Sequence, residues 1–424
     1  GGESLVFDSP STTTSPKRTL LLASEHDEAA HLFTDLVSFC GKEPVYFFPS
    51  SYRGRIDQAN RLAERAVQRT ETLLALTADA AEPILLVSYP AAMAEKLTLQ
   101  RSDSENSISV RVGDKLDQDQ WIERLEAIGF TQEEFVYEPG QFARRGAIVD
   151  LFSYSDFYPY RVDFLGNKVD SIRRFAVDTQ RSIETLKEVR IIGALQDMPE
   201  QQTLLQTLFP ADTLVWTPEP APLLAAYKQL YSEIDPDLQP FFGASEEFAS
   251  LFTQFSTLQR GVIQAPKGAA SIEFHTSPQP VFRKNFNLIA ETLRKEAEAG
   301  RLSYILSEQP SQLERLSSIL QDHDLVRGKD YELVQTSIHQ GFLAPELGCN
   351  FLTDHELFER HHAYRLTRQL SKRDALSMSE LQQLKPGDYV VHEDYGVGIF
   401  EGLISHPVSY THLPSPRDRQ KSRM

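Results

Sequence analysis

At 424 residues the chain is long enough for two to four domains, each with its own core. Its 43 basic and 60 acidic residues leave a formal charge of -17, which excludes a chain that coats nucleic acid over its whole surface but allows a local basic patch. With 41% hydrophobic residues and no apolar run of about 18, it reads as a soluble globular protein without a membrane-spanning helix.

The start, GGESLVFDSPSTTTSPKR, lacks the charged-then-apolar order of a signal peptide. The two cysteines, Cys40 and Cys349, are far apart and have no partner motif. They predict a reduced, cytoplasmic setting with no disulfide framework and no zinc site.

Residues 1–105 alternate short apolar runs, RTLLLAS, VYFFPS and ILLVS, with the helical spacing of EAAHLFTDLVSF and RIDQANRLAERAVQRTETLLAL. That alternation predicts a parallel α/β domain. Such sheets often hold a nucleotide, yet GKE at 41–43 and RGKD at 327–330 lack the glycine spacing and the Ser/Thr after Lys of a phosphate loop. The expectation is a nucleotide-binding shape without nucleotide chemistry.

Residues 106–190 change character, to a helix over DQWIERLEAIGF and then to antiparallel β structure. In YRVDFLGNKVDSIRRF, Gly166-Asn167 lies between two alternating runs, a two-residue hairpin signal. Pairing across it sets Leu165 against Lys168 and Asp163 against Asp170. Tyr160, Val162 and Phe164 then share a core face; Arg161, Asp163 and Leu165 share the other. Between Phe142 and Phe175 six basic residues stand against four acidic ones, a local +2 in an acidic chain. Arg145 and Arg161 with the bare Leu165 read as a docking face for another protein, since guanidiniums offer forked donors for carboxylates across an interface. A solvated face with local pairs, such as Arg161 with Asp170, is the alternative that the residues alone leave open.

Residues 191–280 return to α/β patterning through DTLVW and PLLAAYKQLYSEI, and 281–362 form a small α/β domain in which Ser311/Glu314 and Thr353/Glu356 fit capping boxes. A charged linker, 363–383, precedes LKPGDYVVHEDYGVGIFEGL, where Gly387, Gly396 and Gly398 punctuate the start of a small β-barrel at 384–407. Residues 408–424 carry four basic residues against one acidic and no apolar periodicity; VSYTHLPSPRD resembles translated sequencing-adaptor sequence, so this stretch is expected to be a non-native tail.

Three stretches carry a resemblance: EPGQFARRGAIVDLFSYSDFYPYRVDFLGNKVDSIRRF, FLTDHELFERHHAYRL and LKPGDYVVHEDYGVGIFEGL. Their order resembles the bacterial transcription-repair-coupling factors (Mfd), over residues 1 to about 404. The first is shared with the excinuclease subunit UvrB, and the third is similar to the polymerase-interacting module of CarD-type regulators. The resemblance implies a degenerate P-loop-like α/β domain with an inserted antiparallel β-rich domain, a second small α/β domain and a truncated barrel. It also implies a factor that recognises stalled RNA polymerase, binds its β subunit, and recruits UvrA for nucleotide-excision repair. An ATP- and Mg-dependent translocase acting on double-stranded DNA would lie beyond this chain, which is itself expected to hold no cofactor, to be no enzyme, and to be too short in the last module to bind polymerase. Carried over residue by residue, the UvrA-contacting positions are Arg145, Arg161 and Leu165, where Leu165 replaces the family's usual Phe.

Other groups read as structural. Arg173 and Arg174 fit a solvated strand end, and Tyr154, Tyr158 and Tyr160 fit packing rather than base stacking. Asp354, His355, His361 and His362 lack metal-ligand spacing. A UvrB-like excinuclease subunit would need a phosphate loop; a CarD-like regulator would leave 142–175 unexplained.

Overall fold

The apolar runs of the first hundred residues become strands buried on both faces. The computed structural model describes residues 3–7, 17–41, 44–51, 59–78, 83–98, 107–177, 179–193, 202–261, 270–359, 387, 389–392 and 396–399. The protein is mixed α/β, with parallel and antiparallel sheets. Residues 1–371 and 372–424 form two separate units.

A seven-stranded sheet runs, in space, Ala270–Phe274, Glu3–Phe7, Ser256–Arg260, Leu214–Pro218, Arg18–Leu22, Ile84–Ser88, Val45–Phe47. The last five are parallel; the first two join antiparallel at one edge. Leu20, Leu22, Leu86 and Val87 are buried, because helices such as His26–Cys40 and Pro220–Glu233 pack against a sheet that reads as near-continuous apolar sequence. Arg18–Leu22 lies between Ile84–Ser88 on one side and Leu214–Pro218 on the other. The chain order reverses there, and that is the position where open parallel sheets take a ligand.

A six-stranded sheet follows, in the order Ser182–Leu186, Lys168–Phe175, Tyr160–Leu165, Ile148–Leu151, Gln141–Arg145, Thr131–Gln132. Its neighbours are antiparallel except for the last pair. Helix Gln118–Ala127 begins at Asp117, whose carboxylate accepts the N–H groups of Asp119 and Gln120, and it buries Trp121 and Leu125 against one sheet face. Tyr160, Val162 and Phe164 point into that core, as their alternation predicts. Gly166 adopts φ +63°, the left-handed conformation a two-residue hairpin with glycine first requires. Leu165 does pair with Lys168, but the register shifts after Asp163, which faces Ser171 and not Asp170. A bulge of one residue corrects the predicted pairing.

A five-stranded sheet, Ser277–Pro278, Phe342–Ala344, Cys349–Thr353, Leu302–Leu306, Tyr331–Val334, packs against helices Phe286–Glu298 and Pro310–Asp322. The predicted cap at Ser311 is corrected: Pro310 already occupies the first helical position, where its missing N–H costs nothing, and the cap residue is Gln309. Thr353 does cap its helix, accepting the Glu356 N–H at 3.4 Å, while the Glu356 carboxylate takes the Gly341 N–H instead of closing the box. In the second unit, Tyr389–His392 pairs antiparallel with Gly396–Ile399. His361, His362, the linker 363–383 and the tail 408–424 lie outside the described residues.

Candidate protein-docking face

The outer face of the six-stranded sheet is organised by one carboxylate. Asp150, on Ile148–Leu151, faces Arg161 across the ladder and also lies beside Arg145. It is 1% exposed. Arg161 donates Nε to Asp150 Oδ1 at 2.7 Å and Nη2 to Oδ2 at 2.9 Å, a two-pronged contact that only a planar guanidinium makes. Arg145 donates Nη2 to the same Oδ2. Two cations therefore share one buried anion, leaving a net +1 at this point of the face.

The two arginines differ in access. Arg161, its side chain 16% exposed, sits over the Phe175 ring at 4.4 Å and donates to both the carbonyl and the side-chain oxygen of Gln180. Its hydrogen bonds to Asp150 hold its pKa above the ordinary value. Arg145, 39% exposed, lies 5.4 Å over the Phe135 ring at the mouth of a 610 Å³ cavity lined by Gln132, Glu133, Glu134, Phe135 and Arg144. The expectation of two exposed cations is thus corrected for Arg161. Its partner is Asp150, not the diagonal Asp170, because the adjacent strand supplies a directly opposed carboxylate while the bulge moves Asp170 out of line.

Leu165 is 74% exposed, and Ile148, opposite Asp163 on the same face, is half-buried. A single bare leucine is ordinary on a protein surface, as at Val281 and Leu347; Leu165 differs in standing on the strand that carries Arg161. Arg173 and Arg174 are not a solvated strand end. Arg173 donates to Asp163 at 2.5 Å, and Arg174 bridges Asp156 and Glu184. Tyr160 is buried with its hydroxyl on Asp156, and burial, reinforced by that carboxylate, raises its pKa. Tyr154 is half-buried, edge-on to Phe130.

At the crevice of the parallel sheet, Glu28, in the first turn of helix His26–Cys40, reaches back to the residue before the helix cap. Its carboxylate accepts the Ser24 N–H at 2.7 Å and pairs with Arg260 at the end of Ser256–Arg260. The backbone donor that would meet a phosphate at a helix start is taken by an internal carboxylate. Sequence reasoning missed this, although a glutamate in the first turn after a strand could have signalled it. His355 is buried, with Nε2 donating to the His339 carbonyl at 2.8 Å and Nδ1 3.8 Å from Asp354.

The face described above lies within a segment, residues 108–196, that matches the model of the UvrB interaction domain; residues 384–421 match that of the CarD-like/TRCF RID domain. Two different family models thus match separate segments of the one chain. Along nearly its whole length it is similar to transcription-repair-coupling factors, the resemblance read from three short stretches. The Bacillus subtilis factor is 23% identical over 97% of this chain and 42% of its own length. Those of Staphylococcus aureus and Staphylococcus haemolyticus are 22% and 23% identical over 94% and 93% of this chain. The chain spans about two fifths of the length of the curated relatives it matches. The second matched segment runs through residue 421, across most of the stretch read as a foreign tail.

Proposed function

We propose that this chain is the N-terminal part of a transcription-repair-coupling factor that recruits UvrA to stalled RNA polymerase for nucleotide-excision repair. The observation that carries the reading is the exposed Leu165, on the same strand as Arg161 of the Arg145–Asp150–Arg161 cluster, inside the segment matching a UvrB interaction domain. In this reading Leu165 supplies the buried anchor and Arg145 the cation of the contact. Pull-down of UvrA by the wild-type chain and by Leu165→Asp tests it: retention by the variant at wild-type level would remove the assignment.

The seven-stranded domain is read as a P-loop-like fold that has lost its ligand, with no cofactor and no ATP hydrolysis in this chain. The Glu28–Arg260 pair supports that reading, and the motor that translocates on double-stranded DNA is assigned to the part of the relatives this chain does not span. The hairpin Tyr389–His392/Gly396–Ile399 is read as the start of a barrel whose strand edge adds to a sheet of the polymerase β subunit. A gel-shift of this chain with core polymerase tests that reading. Among the described residues no helix is long and apolar enough to cross a membrane, and a cytoplasmic site of action fits a factor working on polymerase.

A further inference from the structure

We infer that Asp150 and Arg161 are positioning residues of the docking face, and that Arg145 is the cation that meets a carboxylate of the partner. The inference rests on the proposed UvrA contact and assigns the roles within it.

Four observations separate the two arginines. Arg161 is held on every side: by both oxygens of Asp150, by both oxygens of Gln180, and by the Phe175 ring. Gln180 carries φ +56°, a left-handed conformation that a non-glycine residue keeps only when its surroundings fix it. Its two oxygens are thereby aimed at Arg161, and its own side-chain amide donates to the Val177 carbonyl at 2.8 Å. A guanidinium with these partners has no spare fork to offer outward. Arg145 has one contact to Asp150 and more than twice the exposure, at the edge of an open cavity. Its remaining donors are therefore available to a second protein.

Without Arg161, the buried Asp150 would meet Arg145 alone, and the pair would be neutral. With Arg161 taking both oxygens, the three-residue cluster keeps a surplus positive charge, which Arg145 carries to the mouth of a cavity whose lining also holds Glu133 and Glu134. Asp150 also limits how far the long Arg145 side chain wanders, so less freedom is lost when the partner docks. Arg161 thus acts on the partner through Asp150.

A double-mutant cycle tests this, with UvrA affinity measured at several salt concentrations for the wild type, Arg145→Ala, Arg161→Lys, Asp150→Asn and Arg145→Ala/Arg161→Lys. Arg145→Ala should lower affinity about tenfold and flatten the salt dependence, as loss of a charged contact at an interface does. Arg161→Lys keeps the charge but loses the fork, and should weaken binding several-fold in the wild-type background and not in the Arg145→Ala background. Asp150→Asn adds a positive charge but removes the anchor of both guanidiniums, and should weaken binding several-fold while steepening the salt dependence; should it fail to fold, the Lys variant still decides. Additive losses, a salt slope changed by Arg161→Lys in the Arg145→Ala background, or tighter binding by Asp150→Asn would overturn the assignment. Leu165→Asp serves as the separate control: if it and Arg145→Ala both bind normally, the docking face itself is misplaced, whatever the cycle shows.

Discussion

Arg161 grips Asp150 with both arms of its guanidinium, at 2.7 and 2.9 Å, across two neighbouring strands. The carboxylate is 1% exposed, so the contact belongs to the interior of the domain as much as to its surface. Reversing the charge at Arg161 therefore does more than remove a partner contact. Arg161→Glu would set a second carboxylate against buried Asp150, with Arg145 as the cation already on that carboxylate and Arg173 opposite on the next strand. The expected loss is on the order of 3 kcal/mol, the scale of a broken buried pair. Urea unfolding checks it; a midpoint equal to wild type would show that the cluster contributes nothing to the fold.

Leu165 offers the cleaner probe. At 74% exposure it lies outside the buried core of its domain, so Leu165→Asp should leave stability within about 0.5 kcal/mol. Leu165→Phe restores a flat ring at a position where aromatic anchors bury more area, and should tighten UvrA binding by several-fold. Equilibrium titration of both variants reads this; weaker binding by the Phe variant would mean that the partner pocket is shaped for leucine.

Much of this arrangement could be read from the chain, and the reason is periodicity. Tyr160, Val162 and Phe164 alternate with polar residues, so one sheet face is dictated by burial alone. The runs RTLLLAS and ILLVS announce parallel strands because both their faces must be covered. What escaped was set by neighbours distant in sequence. Asp150 is eleven residues from Arg161, and their pairing depends on which strand lies beside which. The bulge after Asp163 removed the diagonal partner that simple hairpin counting supplies. The ribbon of Ser107–Arg111 with Glu188–Ile192 joins segments about eighty residues apart, and no local pattern marks it. At Pro310 a local rule was present but was outweighed: a proline at the first helical turn takes precedence over the serine beside it.

Glu28 makes a prediction at the sheet crevice. Its carboxylate caps the Ser24 N–H and neutralises Arg260, both near the positive end of helix His26–Cys40. Glu28→Gln keeps the hydrogen-bonding shape and loses the charge, and should cost about 1 kcal/mol. Glu28→Ala should cost more, since the Ser24 donor then loses its partner. Thermal melts of the two variants should rank in that order; equal melts would show that water replaces the carboxylate without loss.

Asp35, on the same helix, accepts the His339 backbone N–H at 2.8 Å with its carboxylate, while His31, one turn earlier, stacks on the His339 ring. Burial pushes its pKa up from 3.8 to about 6, opposed by that hydrogen bond and by the charge of His355. Between those two values the unfolded chain has already released a proton that the folded chain still holds. Rising pH therefore works against the fold from about 4 to 6, and above 6 the penalty is complete. Asp35→Asn keeps an oxygen for the His339 N–H and removes the titration. It should be more stable than wild type by about 1.5 kcal/mol at pH 8, half of the unscreened shift, and indistinguishable at pH 4. Urea unfolding at the two pH values measures the difference, and a gap that is the same at both would show that Asp35 ionises without cost in the folded chain.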